Sequence, residues 1–307
     1  MRSPLPFLSL VCLVAWCAGA LAQSAPPPAG SPQAPPQDPP ADPPLAIHGF
    51  NDVSIKNAYV TPRGLLVTNN GLTTQTLNGL VLDAFHPAGP VDDISLVAGV
   101  WNDLDAGQHS PTVGAWNEFD WFVGANFEVR KVLTLGVTYI EFLSPPGNFK
   151  PEHNIEFSAK FDDSAWLKPI SLQPYAKLFY EVSGPSTVVT GDAGGTFDVE
   201  LGAVPTLDLH PYGLGATLTA PSWFTVGPAS YWGGTQNFGV ISTGLTATVP
   251  LTAMPKAWGG WNFHLGVQYY HMINDQLLVA QQLIGTAGGG SGHRDFVVGF
   301  AGLGVNF

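Results

Sequence analysis

Between Leu45 and Phe307 apolar and polar residues alternate again and again, and no run of about 18 apolar residues occurs there. A period of two belongs to strands, because successive side chains leave opposite faces. From Trp261 to His271, Trp261, Phe263, Leu265, Val267 and Tyr269 share one face. Asn262, His264, Gly266 and Gln268 share the other. Phe119–Val129 repeats the pattern, with Asp120, Asn126 and Glu128 on its polar side. Glu156 and Lys160 alternate with Ile155, Phe157 and Phe161; Lys177 and Glu181 with Leu178 and Tyr180; Asp198 and Glu200 with Phe197, Val199 and Leu201. Ile241 to Val249 alternates with Ser242, Thr246 and Thr248.

Weaker alternation covers 48–61, 72–85, 94–103, 132–143 and 215–226, and the chain closes on a further segment, 296–307. The total is twelve, and single-chain bacterial barrels need an even number. Without apolar helices, a chain crosses a bilayer only as a closed barrel. A soluble β-sandwich also alternates. Two features favour the barrel. Aromatic residues gather at segment ends (Trp101, Trp116, Trp121, Trp223, Tyr231, Trp232, Trp258, Trp261, Tyr269, Tyr270), as an interfacial girdle requires. The chain also ends on Phe. The expected fold is all-β: a closed antiparallel transmembrane β-barrel of the outer-membrane type, with about 12 strands.

The final strand, with Gly302, Val305 and Phe307, resembles the closing strand of bacterial outer-membrane barrels. That resemblance implies an assembly signal recognised by barrel-assembly machinery. Arg2, the apolar run to Leu21 and Ala20-Leu-Ala22 read as a secretory signal peptide over 1–22. Residues 23–44 form a Pro-rich arm: ten of the twenty residues Ala25–Pro44 are Pro, so it has nothing to bury and favours an extended polyproline II spacer. The barrel is expected over 45–307. Both cysteines, Cys12 and Cys17, fall in the signal, which leaves no thiol chemistry to the rest.

With the arm and both chain ends in the periplasm, connections after odd-numbered strands face outward. They fall near 62–71, 104–116, 144–151, 183–195, 227–237 and 272–294. The other set includes a tight Arg130-Lys131 turn. The 272–294 connection is the longest. Asn274 or Asp275 can cap a helix, and Leu277, Val279, Ala280, Leu283 and Ile284 approach helical spacing with Gln281 and Gln282 opposite. Gly285 and Gly288–Gly290 would end it. The expectation is a lumenal or mouth-covering segment.

Residues of the polar faces are the candidate lumen lining: Lys56, Asp120, Asn126, Glu128, Glu156, Lys160, Lys177, Glu181, Asp198, Glu200, His264 and Gln268. Both signs occur, so salt-bridged packing and a charged permeation path are both open readings. The chain carries a formal charge of −12, from 23 acids against 11 Lys and Arg, which excludes a basic nucleic-acid surface and biases any channel toward cations. No cofactor is expected. The eight histidines show no ligand spacing. Asp92-Asp93, Asp103/Asp105 and Asp162-Asp163 read as solvated turn residues rather than calcium ligands. Gly288–Gly292 lacks the Lys and helix of a phosphate loop. No catalytic motif is present. A phospholipase-like barrel would need an outward Ser and His, and only His271 is placed for that.

Asn57-Ala-Tyr-Val-Thr-Pro-Arg63-Gly64, Gly99-Val-Trp-Asn102, Asn117-Glu-Phe-Asp120, Tyr139 with Pro145-Pro-Gly147, and Glu152–Glu156 follow in an order that resembles the TorF-type porins over about residues 50–165. The resemblance implies an outer-membrane location and porin-like passage of small solutes, and it brings no catalytic residues. The alternatives are a non-conducting structural or surface-interaction barrel and, more remotely, a phospholipase-like enzyme. The expected partners are outer-membrane lipid, the assembly machinery and small solutes.

Overall fold

The computed structural model describes residues 45–87, 89–106, 115–184, 194–284 and 292–307. The expected signal peptide and Pro-rich arm lie outside the described residues. Twelve strands form the wall: β1 Ala46–Lys56, β2 Leu72–Phe85, β3 Val91–Ala106, β4 Trp116–Val129, β5 Leu133–Leu143, β6 Glu152–Phe161, β7 Pro174–Ser183, β8 Thr196–Ala203, β9 Ser222–Val226, β10 Phe238–Pro250, β11 Gly260–Met272 and β12 Asp295–Asn306. Each pairs antiparallel with its neighbours in sequence, and β12 pairs back onto β1 from Phe50↔Asn306 to Lys56↔Phe300. The sheet therefore closes as a twelve-stranded antiparallel barrel of the outer-membrane type, with no free edge. Among the described residues no helix is long and apolar enough to cross a membrane.

Side-chain parity explains why this sequence closes this way. Ile55, Leu80, Val123, Phe157, Leu265 and Val297 are exposed on the outside, each in an alternating apolar row. Gln75, Asp120, Asn154, Glu181, Asp198 and Gln268 are buried on the inside. Apolar outside and polar inside is the inverse of a soluble core, and it is stable only where the outer surface meets lipid.

Both ends of the described chain lie at one rim, where Gly49 and Phe307 exchange backbone hydrogen bonds. The same rim carries the short connections. Arg130 (φ 51°) and Lys131 (φ 54°) are both left-handed in the tight turn between β4 and β5, and the Val132 N–H closes it on Val129 O at 3.2 Å. Asp163 is buried there and accepts from the backbone N–H groups of Leu172 and Gln173. Short strands 206–208 and 217–219 extend the sheet at this rim, the latter pairing with Thr246–Thr248 of β10.

Helix α1 (Ala229–Trp232) and helix α2 (Asp275–Leu283) belong to the opposite rim. Asn274 caps α2, its side chain accepting from Gln276 N–H at 3.0 Å. The expected helix is present, but its faces differ from those expected. Leu277, Ala280 and Gln281 are buried, whereas Val279 and Leu283 are exposed. Gln281 turns inward because it has partners there: its amide donates to His293 O at 2.9 Å and accepts from His293 N–H at 2.7 Å. Gly285 and Gly288–Gly290, expected to end and hinge this segment, lie outside the described residues.

Candidate functional site: the barrel interior

The first strand departs most from expectation. Alternation continues to residue 61, yet β1 ends at Lys56. Asn57 clamps the exit, accepting from Gly299 N–H at 2.8 Å through its side chain. The chain then folds into the barrel as a hairpin, Tyr59–Val60 against Leu66–Thr68. Residues 62–71 were expected as an outward loop. In fact Ala58, Tyr59, Val60, Arg63 and Leu66 are all buried. The physical reason is composition: this stretch is too apolar to stay in water, and the neighbouring wall offers it apolar partners.

Those partners occupy one side of the interior. Ala58, Val60 and Leu66 pack in one cluster with Trp223 of β9, Val240 of β10, Tyr270 and Met272 of β11, Val298 of β12, Tyr231 and Trp232 of α1, and Leu277 of α2. Trp223, Tyr231, Trp232 and Tyr270, expected in an interfacial girdle, are therefore buried inside the barrel, and Trp101 is buried in a separate cluster with Tyr59 and Val67. Trp116 and Trp258 remain exposed on its surface. Gly64 holds the hairpin turn at φ +90°, and a Cβ there would come 2.9 Å from Val240 Cβ and 3.1 Å from Leu277 Cδ1. The position demands glycine for both space and conformation.

The other side of the interior is acidic. Asp103 and Asp105 come from β3, Glu118 and Asp120 from β4, Glu152 and Glu156 from β6, Glu181 from β7 and Asp198 from β8, and all eight are buried. Glu200 adds a ninth carboxylate and accepts from Tyr175 OH at 2.8 Å. Strand β5 contributes Phe142 at this level, opposite Asp120 and Glu152 in register. Asp103 and Asp105 are thus wall residues, not the turn residues expected. Asp103 is held by Thr73 Oγ1 at 2.5 Å and Gln75 Nε2 at 3.2 Å.

The hairpin bridges the two sides. Tyr59 packs against Trp101 with ring centroids 5.4 Å apart and planes tilted by 49°, and donates to Glu118 Oε2 at 3.0 Å. Burial pushes the Tyr59 hydroxyl pKa well up, and the Glu118 carboxylate adds to the shift. The Arg63 guanidinium carbon lies 4.0 Å from the Phe179 ring centroid and 5.4 Å from that of Phe142. These two rings stack on each other, with centroids 5.9 Å apart and planes at 13°. Burial works against the Arg63 cation, but Tyr231, Asp198, Glu152 and Tyr59 more than offset it, and its pKa stays above the ordinary guanidinium value. A cavity of about 50 Å³ remains between hairpin and wall. Arg63, Asp120, Glu156, Lys177 and Asp198 line it. At roughly 10–15 Å³ per water, that is room for only a few water molecules.

Every one of the twelve candidate lumen residues projects from the inner face of its strand. Asp120, Glu156, Lys177, Asp198 and Glu200 converge on the cavity, where Lys177 Nζ sits 3.4 Å from Glu156 Oε2. Glu181 is buried beside them. Lys56 stands away from this group, 6.0 Å from the Phe300 ring. His264 meets Ser54 Oγ at 3.1 Å, and Gln268 donates to Ser242. Asn126 is buried in β4, while Glu128 and Lys160 lie partly exposed in β4 and β6 toward the rim that carries the chain ends. Arg63, Glu118 and Glu152 were missed. Extending the fourth alternating segment backward by one residue reaches Glu118, and the sixth by three reaches Glu152; nothing local signals that Arg63 points inward.

On the outer surface His271 Nδ1 sits 2.8 Å from Asp295 Oδ1, which also accepts from Tyr269 OH at 2.5 Å. Among the described residues no serine joins this pair. None of the described His, Cys, Asp or Glu side chains form a group of three or more fit to hold a metal ion.

No protein-family model and no curated protein matches the chain. Among solved structures, an outer-membrane channel from Pseudomonas putida F1 aligns with 90% of this chain and 100% of its own at 12% identity and a TM-score of 0.48. Pseudomonas putida OprB aligns with 86% of this chain and 94% of its own at 10% identity and a TM-score of 0.42. Salmonella typhi OmpF, solved in complex with daunomycin, covers 86% and 97% at 10% identity and a TM-score of 0.39. The fold assignment rests on this chain's own strand pairing.

Proposed function

We propose that this chain is a porin-like barrel of the Gram-negative outer membrane. It passes small solutes, cations preferentially, along the acidic side of its interior. In the present conformation the 57–71 hairpin closes that path. The buried carboxylate arc carries this reading. Asp120, Glu181 and Asp198 hold oxygens without hydrogen-bond partners among the described residues. A purely structural barrel gains nothing from such oxygens, since a buried acceptor left without a donor costs stability. A path for hydrated cations does use them. The resemblance of residues 50–165 to TorF-type porins agrees, as does the assembly signal proposed for Gly302, Val305 and Phe307. Outer-membrane lipid and the barrel-assembly machinery are the partners this reading requires. It assigns no catalytic role.

A second reading, a non-conducting structural barrel, is favoured by one observation: the cavity beside the hairpin is only about 50 Å³. Planar-bilayer recordings on purified protein separate the two. Discrete current steps with a cation-selective reversal potential support passage. A correctly folded barrel that stays silent over the accessible voltage range supports the structural reading.

A further inference from the structure

One cation of the interior, Arg63, comes from the hairpin and not from the wall. Arg63 reaches from the hairpin across the barrel and lies over a pair of stacked phenyl rings that belong to β5 and β7. Register puts carboxylates beside both rings. Phe179 pairs with Glu156 on one side and Asp198 on the other, and Phe142 pairs with Asp120 and Glu152. Asp120 and Asp198 are each 2% exposed, line the cavity, and present an oxygen with no hydrogen-bond partner among the described residues. Aromatic faces below and carboxylates around the edge form a recognition site for a flat, delocalised cation, which gains from stacking and from in-plane hydrogen bonds together. A compact ammonium satisfies only the charge.

We propose that the Phe142–Phe179 platform, with Asp120, Glu152 and Asp198 around it, is a binding site for planar organic cations of the guanidinium class, and that Arg63 occupies it as a tethered internal ligand. The hairpin is seated on the apolar side of the interior and delivers only its tip to the acidic side. Withdrawing that tip frees the platform without dismantling the wall. A solute bearing a guanidinium group then competes with Arg63 for the same surface, so the ligand also favours the opened hairpin. The inference rests on the reading of the interior as a solute path and names the solute class for it.

The test uses the purified full barrel in detergent and follows its heat-dependent change in gel mobility. Replacing the tip, Arg63→Ala, removes the internal ligand. Methylguanidinium is then expected to raise the unfolding midpoint of this variant saturably, while methylammonium at equal ionic strength leaves it unmoved. Wild type, in which Arg63 competes for the site, is expected to need a much higher methylguanidinium concentration for the same shift and to ignore methylammonium. Adding Phe179→Leu to Arg63→Ala is expected to abolish the response. Arg63→Gln, which keeps chain length and polarity, serves as a second host should the alanine variant fold poorly. Equal shifts by both cations, equal shifts in wild type, or no shift in either host overturn the proposal. The readout needs no current. Binding without conduction defeats only the passage reading, whereas conduction without methylguanidinium binding defeats this one.

Discussion

The ring of Phe307 lies on Gly49, across the seam where the last strand meets the first. Any Cβ at position 49 would collide with it. The two residues also exchange backbone bonds, Gly49 N–H to Phe307 O at 2.6 Å and Phe307 N–H to Gly49 O at 2.9 Å. Gly49→Val therefore forces the ring off the seam, and deleting Phe307 removes both the ring and the two bonds. One apolar side chain is worth about 1.5–3 kcal/mol, so neither change should unfold an assembled barrel. Both are expected to lower the amount of heat-modifiable protein inserted in cells, and the deletion more strongly. Wild-type insertion after the deletion would count against an assembly role for the terminus.

The hairpin and α2 offer different targets for opening the interior. Replacing residues 59–68 by a short glycine linker removes the hairpin from the barrel interior. Single-channel conductance is expected to rise several-fold above wild type. Deleting α2 alone is expected to give a smaller rise, because the hairpin keeps its seat on Trp223, Val240, Tyr270 and Val298. Equal conductance of wild type and the hairpin deletion, with both barrels folded, would show that the hairpin does not block the path.

Charge on the acidic side sets the sign of selectivity. In a narrow passage with low-dielectric walls, removing a carboxylate weakens the preference for cations. The double variant Glu156→Gln, Asp198→Asn is expected to bring the reversal potential in a salt gradient closer to zero at low ionic strength. The difference should fade toward 1 M salt, where the screening length falls to about 3 Å. Anion selectivity of wild type at low salt would reject the cation path.

Gln281 ties α2 to the strand that follows it through two bonds to the His293 backbone. Gln281→Leu keeps the approximate volume and leaves the His293 backbone N–H and carbonyl without these partners. The expected cost is about 0.5–1.5 kcal/mol per bond. It should appear as faster proteolysis of the 273–294 connection, with the barrel itself intact. Unchanged cleavage would mean that α2 is held by its apolar contacts alone.

Most of the wall was legible in the chain. Alternation is a local property: each residue's side is decided by its neighbours in sequence, and lipid outside with polar groups inside enforces one parity along every strand. Hence Val123, Leu265 and Val267 read as outward, and Asp120, Asp198 and Gln268 as inward, from the sequence alone. The Arg130-Lys131 turn is local for the same reason, since its length alone selects its geometry. The interior was not legible. Residues 57–61 alternate as a strand does, and nothing in them says that the ladder ends at Lys56. Whether that segment runs on along the wall or turns inward depends on Trp223, Val240, Tyr270 and Val298, which lie far away in sequence and make one side of the barrel apolar. The same apolar side drew Trp223, Tyr231, Trp232 and Tyr270 inside, although end-of-strand position had assigned them to the membrane surface, and Gln281 turned inward to reach His293. Local pattern determines which way a side chain leaves its strand. Only closure of the barrel decides what it meets, because closure brings opposite walls within reach of one hairpin and sets Arg63 on Phe179.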